Sequence, residues 1–349
     1  MRWMTGVAVL PLVMVAACGD SGTSGGSASS RDRVHAVGSS TVYPFATATA
    51  EQYAASAPGA KSPTIEATGT GAGMKQFCAG VGTRYPDIAN ASRRMKRSEY
   101  DDCAKNGVKD VIEVQIGIDG VVFAEAKNGP ALKLTVADAY KALAAEPFGK
   151  PNTAKTWADV NPALPAVPIQ VYGPPSTSGT RDALVELVMD KGCDSDPATK
   201  ALKETDEDRH KAICTTIRSD GAYIDSGEND NLIVQKLASN PNAVGIFGWS
   251  FLEENQATMQ GVPFAGVAPS YETISNYTYP GARPLFIYVK SAHLNAVPGL
   301  REYVQTYPKG WGPDGFLARR GLVAAPADVR TRNEAVITGM TPLDPAALK

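Results

Sequence analysis

The stretch VYGPPSTSGTRDALVEL, residues 171–187, contains the pattern that decides the fold. A strand-like start enters a turn with two prolines and four hydroxyl side chains, and an apolar-periodic segment follows Arg181. A strand, a turn of small residues and a helix make one unit of an α/β protein. One hydroxyl is enough to cap a helix. The surplus predicts a helix N-terminus that binds an anion through its free N–H groups and its partial positive charge.

The same unit occurs twice nearer the N-terminus. GSSTVYPF at residues 38–45 follows the apolar residues 34–37, and GTGAGMKQFC at residues 69–78 follows the strand-like residues 64–67. In an open α/β sheet, helix N-termini meet at the carboxyl ends of the strands, where ligands bind. The repeated unit therefore predicts an α/β fold with largely parallel sheets, in which the three turns converge on one anion.

Each turn taken alone is also an ordinary helix cap. The glycine-rich turn is not a dinucleotide fingerprint, because its third glycine comes one position early. It is not a P-loop either, because Met74 separates Gly73 from Lys75. Residues 174–180 are not a nucleophile elbow, since Pro174 and Thr180 stand where that motif needs glycines.

The composition excludes other classes of function. The chain has 349 residues, enough for two domains, and a net charge of −2, which gives no positive field to attract nucleic acid. Its three histidines lie far apart in the sequence, and no Cys-x-x-Cys spacing occurs. The sequence therefore predicts no metal and no cofactor.

The N-terminal residues predict that the chain is exported, and they are not expected to form part of the folded domain. Arg2 precedes a mostly apolar stretch that is too short to span a membrane and ends in VAAC at residues 15–18. This ending is similar to the lipobox of bacterial lipoproteins, which predicts a signal peptide over residues 1–17 and a lipid on Cys18. A plain secretory signal cut nearby is the alternative. Residues 18–32 are rich in Gly and Ser, which is typical of a flexible tether.

Four cysteines remain after Cys18, an even number that indicates two disulfides in an exported chain. Three pairings are open. Short loops close at the lowest entropy cost, which favours Cys78 with Cys103 and Cys193 with Cys214.

Together the motifs resemble the substrate-binding protein of bacterial high-affinity phosphate ABC transporters. The resemblance also rests on the stretches DIANASRRM at 87–95, NDNLIVQKLASNPNAVGIFGW at 229–249 and RPLFIYVK at 283–290. The resemblance implies a type II periplasmic binding protein fold: two lobes, each a mostly parallel sheet flanked by helices, joined by crossover strands. One lobe would contain residues 33–118 and 262–349, and the other residues 119–261. It further implies a monomer that encloses phosphate between its lobes, delivers it to a membrane permease and catalyses no reaction.

Carried over by motif, the phosphate ligands lie in the turns of both lobes. The predicted site residues are Ser39, Ser40, Thr41, Val42, Thr70, Gly71, Ser92, Arg93, Ser178, Gly179, Thr180 and Arg181.

Two positions depart from the family pattern. Many members have an Asp where Arg93 stands, and an Arg where Pro174 stands. We hypothesise that Arg93 and Arg181 hold the ligand from opposite lobes, oriented by Asp87 and Asp182. Because the missing Asp helps to reject sulfate, sulfate or arsenate stays an alternative ligand. Hydrolysis of phosphate esters and a lipoprotein that has lost its ligand are further alternatives, although no nucleophile–base pair is evident for the former.

Overall fold

The computed structural model describes Met1 and residues 31–176, 178–227 and 230–348. The predicted signal peptide, the lipidation site Cys18 and nearly all of the tether lie outside these residues. The strands are β1 (His35–Gly38), β2 (Thr64–Ala67), β3 (Ile88–Ala91), β4 (Val111–Ala126), β5 (Val171–Gly173), β6 (Tyr223–Asp225), β7 (Val244–Gly248), β8 (Met259–Gly261) and β9 (Ala282–Lys290).

Helices surround the sheet, and a π-helical turn over Val185–Met189 joins two of them. The helices are α1 (Tyr43–Ser56), α2 (Thr70–Phe77), α3 (Arg97–Lys105), α4 (Val136–Leu143), α5 (Trp157–Val160), α6 (Gly179–Leu184), α7 (Asp190–Cys193), α8 (Pro197–Thr205), α9 (Glu207–Thr215), α10 (Asp230–Ser239), α11 (Trp249–Glu254), α12 (Tyr271–Ser275), α13 (Leu300–Val304) and α14 (Ala327–Gly339).

The strand order is β2-β1-β3-β9-β4-β7-β5-β6, with β8 also paired to β4. The strands at both ends of this order are parallel: β1 pairs with β2 and β3, and β5 pairs with β6 and β7. The long strands β4 and β9 are antiparallel to each other and connect the two parallel halves. The predicted α/β class, with mostly parallel sheets joined by crossover strands, is confirmed.

The crossover strand β4 is one element rather than the two apolar segments that the sequence shows at 111–116 and 121–126. Its first part pairs with β9, and its last residues pair with β7 and β8. The register shifts at Ile116, between Gln115 and Gly117, while Gly117 and Gly120 keep partners in β9, so the ladder continues through the residues that separate the apolar runs.

Separate hydrophobic cores form on the two halves of the sheet. The first half contains one core around β1, β9 and α13 and a smaller one around α2 and Tyr288, and the second half contains the largest. This largest core includes residues beyond 261, the boundary expected for the second lobe: Val262, Phe264, Ile274 and Tyr279 are buried in it. The same core also contains Val323 and Ala325, so residues assigned to both lobes share it, and the lobe bounds stay a prediction.

Disulfides link Cys78 to Cys103 and Cys193 to Cys214, the pairing that the short loops favour. The first ties the end of α2 to α3, and the second ties α7 to α9. In the part of the chain described here, no helix combines the length and the apolar character needed to cross a bilayer.

Candidate functional site

The turns after β1, β2 and β3 meet at one edge of the sheet. The backbone N–H groups of Thr68 and Gly69 donate to the Gly38 carbonyl at 2.8 and 2.9 Å, and Ser39 N donates to Asn90 O at 2.9 Å. The expected convergence of the turns in the first half of the sheet is therefore present, because parallel strands bring their carboxyl ends to the same edge.

Thr70 and Ser92 form a direct contact within this edge. Their hydroxyl oxygens lie 3.0 Å apart, and Ser92 N donates to Thr70 Oγ1 at 3.1 Å. α2 begins at Thr70 and carries Gly71 in its first turn. Gly73 lets this turn pack closely on β1, since a Cβ at Gly73 would lie only 2.5 Å from Gly38 Cα.

In the turn after β1, some residues cap the following helix and others face the cleft. Ser39 is buried, and its carbonyl accepts from Tyr43 N at 3.0 Å while its Oγ lies 3.4 Å from Val42 N. These groups close the first turn of α1. Ser40 and Thr41 extend beyond that turn towards the second half of the molecule.

The turn after β5 contacts Ser40 and Thr41 directly. Thr41 Oγ1 donates to the Gly179 carbonyl at 3.0 Å, and Ser40 Oγ donates to the Asp182 carboxylate. Ser178 caps α6 by accepting from Thr180 N at 3.2 Å. A Cβ at Gly179 would lie 2.6 Å from Thr41 Cα, so only glycine allows the two turns to approach this closely.

A cavity of about 550 Å³ opens beside these turns. Five of the predicted site residues line it, together with Asp119, residues of α1 and α11, and residues 319–321. The five are Ser40, Thr41, Ser178, Gly179 and Thr180. The structure thus brings motifs from sequence positions about 140 residues apart to one cleft.

Arg283, which is not among the predicted site residues, supplies the buried charge at this site. The residue is 4% exposed, and its Nη2 donates to Thr41 Oγ1 at 2.7 Å. Its Nε donates to Asp119 Oδ2 at 3.2 Å, and its Nη1 pairs with the Glu186 carboxylate. Asp119 and Arg283 are direct partners in the β4–β9 ladder, so the two crossover strands hold this pair in the cleft.

The electrostatics of the site follow from this buried guanidinium. Burial raises the pKa of the Asp119 carboxyl above its ordinary value, although the neighbouring Arg283 opposes the shift. Burial, and then the positive charge of Arg283, lower the pKa of Lys191. Arg283 therefore partly offsets the cost of burying the Asp119 carboxylate, and it pairs with the carboxylates of both Asp119 and Glu186.

Arg93 and Arg181 are engaged elsewhere. Arg93 forms a two-pronged pair with Glu99, with N–O distances of 2.9 and 2.7 Å. Arg181 donates to the Pro174 carbonyl at 3.1 Å, and its guanidinium lies 4.6 Å from the centre of the Tyr223 ring. Their role as anion ligands stays a prediction.

The expectation that Asp87 and Asp182 orient these arginines is wrong. Asp87 is fully buried and accepts from Arg31 at 2.7 Å and from His293 Nδ1 at 2.6 Å. It stabilises the start of the sheet and the loop beside it. Asp182 accepts from Ser40 instead, because the two turns approach so closely that the hydroxyl lies nearer than the guanidinium.

Among the residues that the structure describes, groups of three or more side chains with metal-ligand chemistry occur only around His210. The sulfurs of Cys193 and Cys214 lie near its ring, but they form a disulfide. Asp190 and Asp194 both pair with Lys203. Disulfide sulfurs are not thiolates and these carboxylates already have a cation, so this cluster does not fit a metal ion.

Comparison with known proteins agrees with the geometry. The PBP superfamily domain matches residues 23–307. The chain is 32% identical over 335 residues to the phosphate-binding protein PstS of Staphylococcus epidermidis, covering 93% of this chain and 90% of the relative. It is 32% identical over 310 residues to the protein SphX of Synechococcus elongatus, covering 86% and 80% of the two chains.

A solved structure from Planctomyces limnophilus, described as a possible phosphate binding protein, has the same fold. Its TM-score is 0.71 at 27% identity, and the match covers 88% of this chain and 98% of that one. With its parallel half-sheets, its crossover strands and these relatives, the chain belongs to the PBP superfamily and, within it, to the family of phosphate-binding proteins that includes PstS.

Proposed function

We propose that this chain binds inorganic phosphate in the cleft beside Thr41 and Gly179 and delivers it to the membrane permease of an ABC transporter. The observation that carries the proposal is the Arg283–Thr41 contact at the junction of the two turns. It combines a buried planar fork of N–H donors with a hydroxyl and with helix N-termini, which are the groups that recognise phosphate.

The ligands from the first half of the molecule are Ser40, Thr41, Thr70, Gly71 and Ser92. Those from the second half are Ser178, Gly179 and Thr180. Because α2 and α6 begin within these two sets, their first-turn N–H groups are available to a bound anion. Arg283 replaces the guanidinium that Pro174 cannot provide.

A carboxylate beside the donors favours phosphate over sulfate. Asp119 lines the cleft and accepts from Arg283 Nε. A phosphate that carries a proton can donate it to such a carboxylate, whereas fully ionised sulfate meets a repulsion between lone pairs. Arsenate has the protonation chemistry of phosphate, so this arrangement would not separate those two anions.

Titration calorimetry with the purified chain tests the proposal. We expect phosphate to bind at one site per chain and to raise the unfolding temperature. Absence of both heat and thermal shift would favour the alternative of a lipoprotein that has lost its ligand. We propose no reaction, and release of a chromogenic product from a phosphate ester, lost in Thr180→Ala, would instead support a hydrolase.

We further propose that the chain is exported and attached to a membrane as a monomer, through a lipid on Cys18. The support is the lipobox-like sequence at residues 15–18 and the Gly/Ser-rich segment that follows it. Labelling of cells with a radioactive fatty acid should mark the wild-type chain and not Cys18→Ala. Equal labelling of both would contradict the anchor.

A further inference from the structure

Two carboxylates of the second half of the molecule occupy donors of the proposed phosphate site. Asp182 in α6 accepts from Ser40 Oγ, and Glu186 in the π-helical turn accepts from Arg283 Nη1. Both residues belong to one continuous helical segment, four positions apart. Their partners belong to the turn after β1 and to the crossover strand β9.

A carboxylate oxygen resembles a phosphate oxygen as a hydrogen-bond acceptor. Both are anionic and both form short, charge-assisted bonds with hydroxyl and guanidinium donors. The contacts that Asp182 and Glu186 make with Ser40 and Arg283 are therefore of the kind that the anion would make. This step rests on the proposed function.

The exposure of the two carboxylates bonded to Arg283 separates the one that can leave from the one that stays. The side chain of Glu186 is 51% exposed, whereas that of Asp119 is 13% exposed. Glu186 can move into water with little change in its solvation. Asp119 is fixed opposite Arg283 in the strand ladder and keeps its Nε contact when Nη1 is released.

We infer that Asp182 and Glu186 act as an internal substitute for the anion, which holds the lobes together without ligand and lowers the affinity for phosphate. Phosphate enters by taking Ser40 Oγ and Arg283 Nη1 from them. The apparent affinity of such a site falls in proportion to the fraction of molecules whose donors are free. The two carboxylates therefore set the affinity without contacting the bound ligand.

The test compares Glu186→Gln, Asp182→Asn and their double variant with the wild type. Each substitution keeps the shape of the side chain and removes its charge. Glu204→Gln on α8 is the control, because it removes an exposed carboxylate away from the cleft. Phosphate affinity is measured by calorimetry, and the dimensions of the ligand-free chain by small-angle X-ray scattering.

We expect the double variant to bind phosphate about tenfold more tightly and to be more extended without ligand, and the control to match the wild type. Unchanged or weaker phosphate binding in variants that keep the wild-type melting profile would overturn the inference. Tighter binding without a more extended ligand-free state would also overturn it, since a charge effect through space would then suffice. Failure of the wild type to bind phosphate contradicts the proposed function itself. The scattering comparison still tests whether the carboxylates hold the lobes together.

Discussion

Arg283 holds the buried positive charge of the site, and its contacts predict the effect of replacing it with lysine. Arg283→Lys keeps the charge but loses the planar fork that contacts Thr41, Asp119 and Glu186 together. We expect phosphate affinity to fall at least about tenfold, because one charge-assisted hydrogen bond is worth about 1.5–3 kcal/mol. The measurement is calorimetry, with thermal unfolding to show that the variant is folded.

Arg181→Lys is the matched control for this prediction. Arg181 packs on Tyr223 and donates to a backbone carbonyl, so its replacement should lower phosphate affinity less than Arg283→Lys does, and an equal or larger loss would support the role predicted for Arg181 as an anion ligand. If Arg181→Lys lost affinity and Arg283→Lys did not, the charge would be assigned to the wrong arginine.

Lys290 gives a pH dependence that belongs to a single residue. Its side chain is fully buried, its Nζ donates to Gly80 O at 2.6 Å, and burial lowers its pKa to about 8. Asp87 opposes this shift, and Arg31 adds to it. Between about pH 8 and the ordinary value of 10.5, the unfolded chain binds more protons than the folded one, so this lysine makes stability rise with pH.

Denaturant unfolding at several pH values measures this contribution. Across that interval, the unfolding free energy of the wild type should rise by up to about 3 kcal/mol relative to that of Lys290→Met. Tyrosines whose pKa is raised by burial titrate at high pH as well, but they contribute equally in both proteins. Parallel profiles for the two proteins would show that Lys290 titrates normally.

At the scale of the elements, the contact between the turn after β1 and the start of α6 is the feature most sensitive to a single methyl group. Gly179→Ala would place a Cβ 2.6 Å from Thr41 Cα. We expect this substitution to prevent full approach of the two turns and to weaken phosphate binding by about tenfold or more, with unfolding of each core little changed.

Gly312→Ala is the control for this substitution, because no atom lies within 4 Å of a Cβ at that position. It should keep wild-type affinity when measured by the same calorimetric titration. Normal phosphate binding by Gly179→Ala would show that the close approach of the turns is not needed.

For the disulfide between α7 and α9 we predict the opposite outcome: its removal should lower the stability of the chain without weakening phosphate binding. It closes a loop of 21 residues, so Cys193→Ala with Cys214→Ala should cost about 3 kcal/mol of unfolding free energy. Thermal unfolding and a phosphate titration check both parts. A large loss of affinity would mean that the bridge shapes the cleft.

The elements also show what local sequence can predict. A strand followed by hydroxyl-rich residues and a helix is a local pattern, and it identified all three turns. The close packing of Gly73 on Gly38 is a tertiary contact, so a short stretch of sequence does not show it. The role of Arg283 could not be predicted for the same reason, because its partner Thr41 lies 242 positions away. The arginine at the start of RPLFIYVK, charged yet adjoining an apolar strand, was the available signal.

In the molecule as a whole, the local sequence pattern does not show where one half of the sheet ends and the other begins. The crossover strands β4 and β9 read as ordinary apolar segments, and nothing in their composition shows that they pass between two cores. The largest core takes in residues on both sides of position 261, and β8 pairs with the end of β4. The fold class could be predicted from the sequence, while the boundary between the halves depended on these long-range strand pairs.

The selectivity between phosphate and sulfate is the sharpest test of the proposed site. Phosphate and sulfate are titrated into the purified chain in parallel, from about pH 5 to pH 8.5, by calorimetry. We expect one phosphate per chain and at least about a hundredfold weaker binding of sulfate across this range, because the Asp119 carboxylate lines the cleft beside the donors. Sulfate binding as tight as phosphate binding, or no phosphate binding at all, would show that the cleft is not a phosphate site.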